Sequence, residues 1–266
     1  MNRQKAFTVI AVVIIVVVAA VVGYTLTAAP ANRDTLYQVS TIDALQLGVF
    51  AGIQPVGDLR PHGDFGIGTF DALDGEMIVL DGIIYQALAD GTVRVVPDTL
   101  TTPLATVTFF EDDFTITTTG PMNFSAFTTV MTERLPTGNM AYAVRMHGTF
   151  PSITVRAIPA QQEPYPTLSE AAASQSVYTY TDTTGSVVGF FTPVFFKGLN
   201  VVGYHLHFIS DDRQTGGHIL EFTVPGDTPV VYDITPEFYL VLPTSGAFTE
   251  VDLSQDLSAE LAAVEN

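Results

Sequence analysis

Three Asp-Gly dipeptides, at 74–75, 81–82 and 90–91, each flanked by apolar residues, constrain this chain more than any other feature. Both positions of that pair tolerate a positive φ, so Asp-Gly between short apolar runs is the strongest local signal for a β-hairpin. Successive antiparallel strands are therefore predicted at Gly66–Leu73, Glu76–Leu80, Ile83–Ala87 and Val93–Val96. By period and composition, further strands are predicted at Ala105–Phe110, Asp113–Thr117, Tyr142–Gly148, Ser152–Ala157, Val187–Phe191, Val201–Ser210, His218–Val224 and Glu237–Leu242. Helical spacing is confined to Thr41–Leu47, Asn123–Glu133, Leu168–Ser174 and Leu253–Val264. The predicted class is α+β, mostly antiparallel or mixed β-sheet with few helices. It forms either two packed sheets or two β-rich subdomains with a break near 160–167, where Pro164 and Pro166 fall.

The chain has 266 residues, 47% of them hydrophobic, enough for a sizeable core in one large domain or two modest ones. It carries 28 Asp and Glu against 10 Lys and Arg, net −18. Three of the ten basic residues, Arg3, Lys5 and Arg33, fall in residues 1–33, which hold no acid, so the remainder is more negative still. Such a body repels phosphate backbones, and no nucleic-acid partner is expected. The bland reading of the acidity is a solubility coat. The absence of cysteine excludes disulfides, thiolate nucleophiles and cysteine-type zinc sites.

Arg3 and Lys5 precede Ala6–Val22, an uncharged apolar run whose length lies between a secretory signal core and a spanning helix. Ala29-Pro30-Ala31 offers a cleavage site. Residues 1–33 are thus predicted to be a signal peptide or membrane anchor, and 34–266 the folded body. The expectation is an exported protein, secreted or held on the outer face of the cytoplasmic membrane, with residues 6–22 its only membrane contact if uncleaved.

The chemistry lies in the histidines. Tyr204-His205-Leu206-His207-Phe208 alternates strictly, so in a strand His205 and His207 share one face while Tyr204, Leu206 and Phe208 point into a core. The turn-like run Ser210–Gly217 brings His218 back opposite His207 or His205 if it closes a hairpin. Three imidazoles with an open fourth position make a catalytic zinc arrangement, although neutral imidazole suits other borderline divalent ions too. His62 and His147 stand alone beside glycines and read as loop or strand-end residues.

A two-residue turn at Asp74-Gly75 would pair Leu73 with Glu76 and place Thr69, Asp71, Leu73 and Glu76 on one sheet face. Glu76 is then mounted rigidly as an acid or base. Arg156 alternates with apolar residues of a predicted central strand, where a buried charge must be paired or functional. There is no G-x-S-x-G, phosphate loop, H-E-x-x-H or EF-hand spacing.

The string His62-Gly-Asp-Phe-Gly-Ile-Gly-Thr-Phe70 with Leu73-Asp-Gly-Glu-Met-Ile-Val-Leu-Asp-Gly82 and Tyr85 resembles the N-terminal signature of the α-acetolactate decarboxylases. Tyr37-Gln-Val-Ser-Thr41 resembles the stretch before it, and Gly203-Tyr-His-Leu-His207 with Gly217-His218 is similar to that family's zinc site. The resemblance runs from about Tyr37 to Glu265. It implies Zn2+ on His205, His207 and His218, catalytic roles for Glu76, Arg156 and Glu265, and substrate contacts from Thr69 and Arg156. It also implies a small-molecule 2-hydroxy-3-oxo acid substrate and suggests a homodimer. The implied reaction is zinc-dependent decarboxylation of 2-hydroxy-2-methyl-3-oxobutanoate (2-acetolactate) to acetoin and CO2. It passes through a metal-chelated enediolate that is protonated on one face, with Glu76, Glu265 or Arg156 and a water as the candidate proton sources.

Two other classes compete. A cupin-like metal enzyme also uses H-x-H on a barrel strand, but wants a glutamate four or five residues after the second histidine, where Asp211 and Asp212 stand here. A non-catalytic metal- or ligand-binding surface protein would have no use for Glu76 and Arg156.

Overall fold

The computed structural model describes residues 32–265, and from Arg33 onward the chain forms one compact unit. Strand β1 (Thr35–Val39) leads into the short helix α1 (Ile42–Gln46), where the Thr41 hydroxyl accepts from the Ala44 N–H as an N-cap. Then come β2 (Gln54–Pro55), β3 (Phe65–Thr69), β4 (Glu76–Leu80), β5 (Ile83–Ala87), β6 (Val93–Val95), β7 (Thr101–Thr102) and β8 (Ala105–Thr108). After β9 (Phe114–Thr117) and β10 (Met122–Asn123), helix α2 (Phe124–Arg134) precedes the long strand β11 (Tyr142–Ala157). Helix α3 (Leu168–Ala172), opened by a Thr167/Glu170 capping box, precedes a second long strand, β12 (Ser176–Thr192). The remainder is β13 (Gly203–Ser210), β14 (Gly216–Val224), β15 (Pro229–Ile234), β16 (Glu237–Val241) and helix α4 (Ser258–Glu265).

Fourteen of these strands build two seven-stranded sheets, and β2 and β7 pair with each other. The first runs β16-β1-β8-β3-β4-β5-β6, antiparallel except for the β1–β16 pair. The second runs β10-β14-β13-β12-β11-β15-β9, and β14 also pairs with β11, so β11 to β14 close on one another. Phe65, Ile78 and Leu80 of the first sheet pack against Val188, Phe190 and Ile209 of the second. A second core gathers Phe127, Phe150, Phe208 and Phe222 on the far side of the closed strands. A smaller cluster of Ile42, Leu45, Leu73, Leu104, Ile158, Leu168 and Val264 covers one edge of the contact between the sheets. The predicted class, mostly β-sheet with short helices, is the one observed.

Several local expectations are corrected. The first hairpin does not turn at Asp74-Gly75: Thr69 lies opposite Glu76, and residues 70–75 form a longer loop with Ala72 and Leu73 both at φ 60°. Asp81-Gly82 does form a tight turn, with both residues at positive φ and Leu80 opposite Ile83. The strands predicted on either side of residues 149–151 are one strand. Pro151 falls where β11 changes partner from β15 to β14, and the ladder with β12 skips it, running from Phe150–Thr183 to Ser152–Thr181. Strand β15 was not anticipated, although Val230, Val231 and Tyr232 carry the composition of a strand.

The expectation of export is withdrawn. Among the described residues no helix is long and apolar enough to cross a membrane. The segment on which the signal or anchor reading rested, residues 1–31, lies outside the described residues.

One buried acid gives a pH-dependent stability. Asp233, on β15, is 1% exposed and its Oδ2 has no hydrogen-bond partner. Burial, with the charges of Asp113, Glu111 and Asp34 nearby, pushes its carboxyl up to about 7. Because the folded value lies above the unfolded one, its contribution is fully present below about pH 4 and lost as pH rises through about 7. Asp233→Asn should therefore raise Tm relative to wild type at pH 8, with the gain shrinking by pH 5. Calorimetric scans across that range check the sign, and a pH-independent difference would refute it.

Candidate metal centre

The closed strands put the imidazoles together through register. His205 and His207 lie on β13 two residues apart, so they share a face, while Leu206 and Phe208 point into the aromatic core. His218 on β14 is the direct cross-strand partner of His207, and Arg156 on β11 is the direct partner of His218. Cross-strand partners sit about 4.5–5.5 Å apart, so three neighbouring strands deliver two imidazoles and a guanidinium to one spot. The three rings have centroid separations of 5.0 to 5.4 Å. One ligand nitrogen from each lies within 4.8 Å of the others.

The other sheet supplies Glu76 at the start of β4, with Oε2 3.7 Å from His207 Nε2. It also fixes a tautomer. His207 Nδ1 lies 2.9 Å from the Met77 carbonyl, which can only accept, so Nδ1 carries the proton and Nε2 presents its lone pair to the site. Helix α4 supplies Glu265, whose Oε1 accepts from Arg156 Nη2 at 3.1 Å. Its Oε2 lies 3.6 Å from His205 Nε2 and 3.7 Å from His218 Nε2. Gln175, in the loop between α3 and β12, accepts from Arg156 Nη1 at 3.3 Å.

These atoms are buried and incompletely paired. His207 Nε2, both ring nitrogens of His218, Glu265 Oε2 and Arg156 Nε have no hydrogen-bond partner. Leaving buried polar atoms unpaired costs about 1–3 kcal/mol each, and a bound ion would satisfy those that belong to the three-histidine cluster. Burial, with Arg156 nearby, pushes His205 down to about 3 and holds His207 and His218 well below the usual imidazole range. The rings are therefore neutral near pH 7, the form that donates a lone pair. Neutral imidazole is a ligand for zinc and other borderline divalent ions, and one nitrogen from each of the three rings reaches a common region. The donor set thus fits a borderline divalent ion.

Burial also raises both carboxylates, Glu76 to about 7, with Arg156 opposing the rise in each. The Thr69 hydroxyl donates to the Gly75 carbonyl at 2.7 Å, so toward the site it offers lone pairs only. Thr69, Glu76, Arg156, Glu265 and the three histidines line one cavity of about 40 Å3, walled on its other side by Ile42, Leu45, Leu73, Leu104, Ile158 and Leu168. The loop that precedes Glu76 carries left-handed Ala72 and Leu73, a conformation costing roughly 1–2 kcal/mol for each non-glycine residue.

The structure brings together every residue singled out for the site: Thr69, Glu76, Arg156, His205, His207, His218 and Glu265. It leaves out His62, stacked on Tyr37 at 3.8 Å, and His147, paired at the surface with Asp211 at 3.1 Å. Sequence reasoning missed Gln175 and the apolar wall. Gln175 sits in a loop with no periodicity, and the wall is drawn from five separate stretches of chain. Ile42, Leu45 and Leu168 fall in predicted helical segments and Leu73 precedes an Asp-Gly, but none of those signals places them together.

Fold and site define a β-sheet enzyme with a buried centre of three neutral imidazoles, an arginine and two carboxylates, suited to a divalent ion. The sequence profile of the alpha-acetolactate decarboxylase family matches residues 36–255. The chain is 48% identical to an alpha-acetolactate decarboxylase of Methanosarcina mazei over 233 residues, covering 87% of this chain and 80% of that one. It is 39% identical to one of Methylococcus capsulatus, covering 87% and 88%. The crystal structure of the alpha-acetolactate decarboxylase of Bacillus subtilis superposes with a TM-score of 0.84 at 34% identity, covering 87% of this chain and 99% of that one. The chain belongs to the alpha-acetolactate decarboxylase family and is a carboxy-lyase.

Proposed function

We propose that this protein decarboxylates 2-acetolactate to acetoin, using a divalent ion, zinc by ligand type, on His205, His207 and His218. The observation that carries the reading is the convergence of three neutral imidazoles on the buried Arg156–Glu265 pair. The folded domain assigned to this chemistry is residues 34–266.

A bound divalent ion would supply Lewis acidity, drawing electron density toward the oxygens that become negative as CO2 leaves. Electrostatic balance supports it. One guanidinium between two buried carboxylates leaves a net negative site when both are ionised, which repels an anionic substrate. Two added positive charges reverse the sign and match a monocarboxylate.

Arg156 is assigned to the substrate carboxylate. Its Nη2 is held by Glu265 and its Nη1 by Gln175, which leaves Nε without a partner. Those two contacts fix the guanidinium plane before substrate arrives, so it contributes orientation as well as charge. Loss of CO2 breaks the C1–C2 bond and leaves its electron pair at C2, delocalised onto the neighbouring ketone as an enediolate. Glu76 is assigned to deliver the proton to C2: its mounting at the start of β4 is rigid, and its carboxyl is the one pushed close to neutrality. Delivery from one fixed side gives one hand of acetoin. Thr69, able to accept but not donate, is assigned to the substrate hydroxyl.

Dialysis of the purified protein against a chelator should remove about one metal equivalent per chain and abolish acetoin formation, and added Zn2+ should restore both. Metal analysis and a colorimetric acetoin assay read the two quantities separately. Stoichiometric metal without any turnover would instead identify a binding protein.

A further inference from the structure

We propose that Leu73 sets the size of the alkyl group that the substrate carries, an inference that rests on the decarboxylase reading above. The cavity has two faces. Arg156, Glu76, Thr69 and the imidazoles form the polar one, and Leu73, Leu104, Ile158 and Leu168 contribute to the apolar one. A 2-hydroxy-3-oxo acid directs its carboxylate, hydroxyl and ketone oxygens to the polar face, so its alkyl substituents meet the apolar wall. The cavity is narrow, about 40 Å3, and Leu73 lies on its apolar side, so this wall is in contact with whatever alkyl group the substrate places there.

Leu73 stands apart from its neighbours in the wall because its backbone is left-handed, at φ 60°, directly after Ala72 at the same angle. Glycine would occupy either position without steric penalty. The conformation is held from outside the loop: Ala72 N–H donates to Phe50 O at 2.9 Å, Gln161 N–H to Ala72 O at 2.8 Å, and Gly75 N–H to Ile158 O at 2.9 Å. A leucine kept there against its preference is accounted for by its side chain, which is 4% exposed and faces the cavity. The same loop delivers Glu76 three residues later, so the wall and the carboxylate keep a fixed separation.

The test compares kcat/KM for 2-hydroxy-2-methyl-3-oxobutanoate with that for its two ethyl homologues, 2-ethyl-2-hydroxy-3-oxobutanoate and 2-hydroxy-2-methyl-3-oxopentanoate. In Leu73→Ala and Leu73→Gly the ethyl-to-methyl ratio should rise about tenfold or more for at least one homologue. Because the ratio is internal to each preparation, it survives partial loss of folded protein. Tm supplies an independent readout: Leu73→Gly should melt above Leu73→Ala, because glycine relieves the left-handed backbone. Leu100→Ala, which lies outside the cavity in a separate core, should leave the ratio unchanged. Unchanged ratios in both Leu73 variants, with acetolactate still turned over, overturn the proposal. A wild-type protein inert toward all three substrates refutes the decarboxylase reading itself and takes this inference with it.

Discussion

His207→Ala should cost the protein its metal and at least about a thousandfold in CO2 release from acetolactate. Polarisation by a bound ion is worth several kcal/mol of transition-state stabilisation, and about 4 kcal/mol is about a thousandfold in rate. His207 is the sharpest position for the test because its role is fixed from both ends. Nδ1 donates to Met77 of the opposite sheet, and Nε2 is buried without a partner. Substitution by alanine also strands the Met77 carbonyl, so a modest fall in Tm is expected beside the loss of metal. His62→Ala and His147→Ala are the controls. Both residues are exposed, one stacked on Tyr37 and the other paired with Asp211, and neither variant should change metal content or kcat. Full metal occupancy and near-normal turnover in His207→Ala would falsify the assignment.

Arg156→Met is expected to be nearly as damaging to turnover and worse for stability. The guanidinium is paired with Glu265, and it opposes the rise of both buried carboxylates. Breaking a buried ion pair by removing one partner typically costs about 3–5 kcal/mol. The sign of the pH dependence follows. With the cation gone, the folded-state values of Glu76 and Glu265 move further above their unfolded values. Stability is then fully present below about pH 4.5 and falls as pH rises through the raised folded values, more steeply than in wild type. Arg156→Lys should recover part of the stability and little of the activity. An ammonium restores charge but not the planar fork that spans Gln175 and Glu265 while leaving Nε free. Urea titrations at pH 5 and pH 8, with kcat/KM for the three proteins, decide the matter. A Met variant as stable as wild type at both pH values would show that the pair is dispensable to the fold.

Much of this was legible in the chain because β-structure writes its faces locally. The alternation Tyr204 to Phe208 assigns His205 and His207 to one side with no knowledge of the partner strand, and the turn-rich run after it returns His218 to them. Asp81-Gly82 behaved as its composition demands. Asp74-Gly75 did not, because the pull of a two-residue turn is weaker than the backbone hydrogen bonds that Phe50, Ile158 and Gln161 make with that loop, and those partners are distant in sequence. The long strands were misjudged for a related reason. Pro151 stops a ladder only where its N–H would be needed, and that depends on which strand lies alongside. The apolar wall of the cavity was not legible as a wall because, beyond the helical pair Ile42 and Leu45, its members come from stretches distant in sequence. Glu265 was found only through family resemblance, since nothing in the surrounding Leu261–Glu265 stretch distinguishes a functional carboxylate from a solvated one.

Helix α4 bears on how the molecule comes to life. Apart from the Glu265 carboxylate, Val264 is its one buried side chain, yet the helix contributes the carboxylate that spans Arg156 and two imidazoles. The groups assigned to the reaction are therefore gathered from position 69 to position 265, and no early fragment holds all of them. On the assignment proposed above, a nascent chain emerging from the ribosome stays chemically silent until this weakly seated turn docks, and the first molecule of gas released announces that assembly has finished.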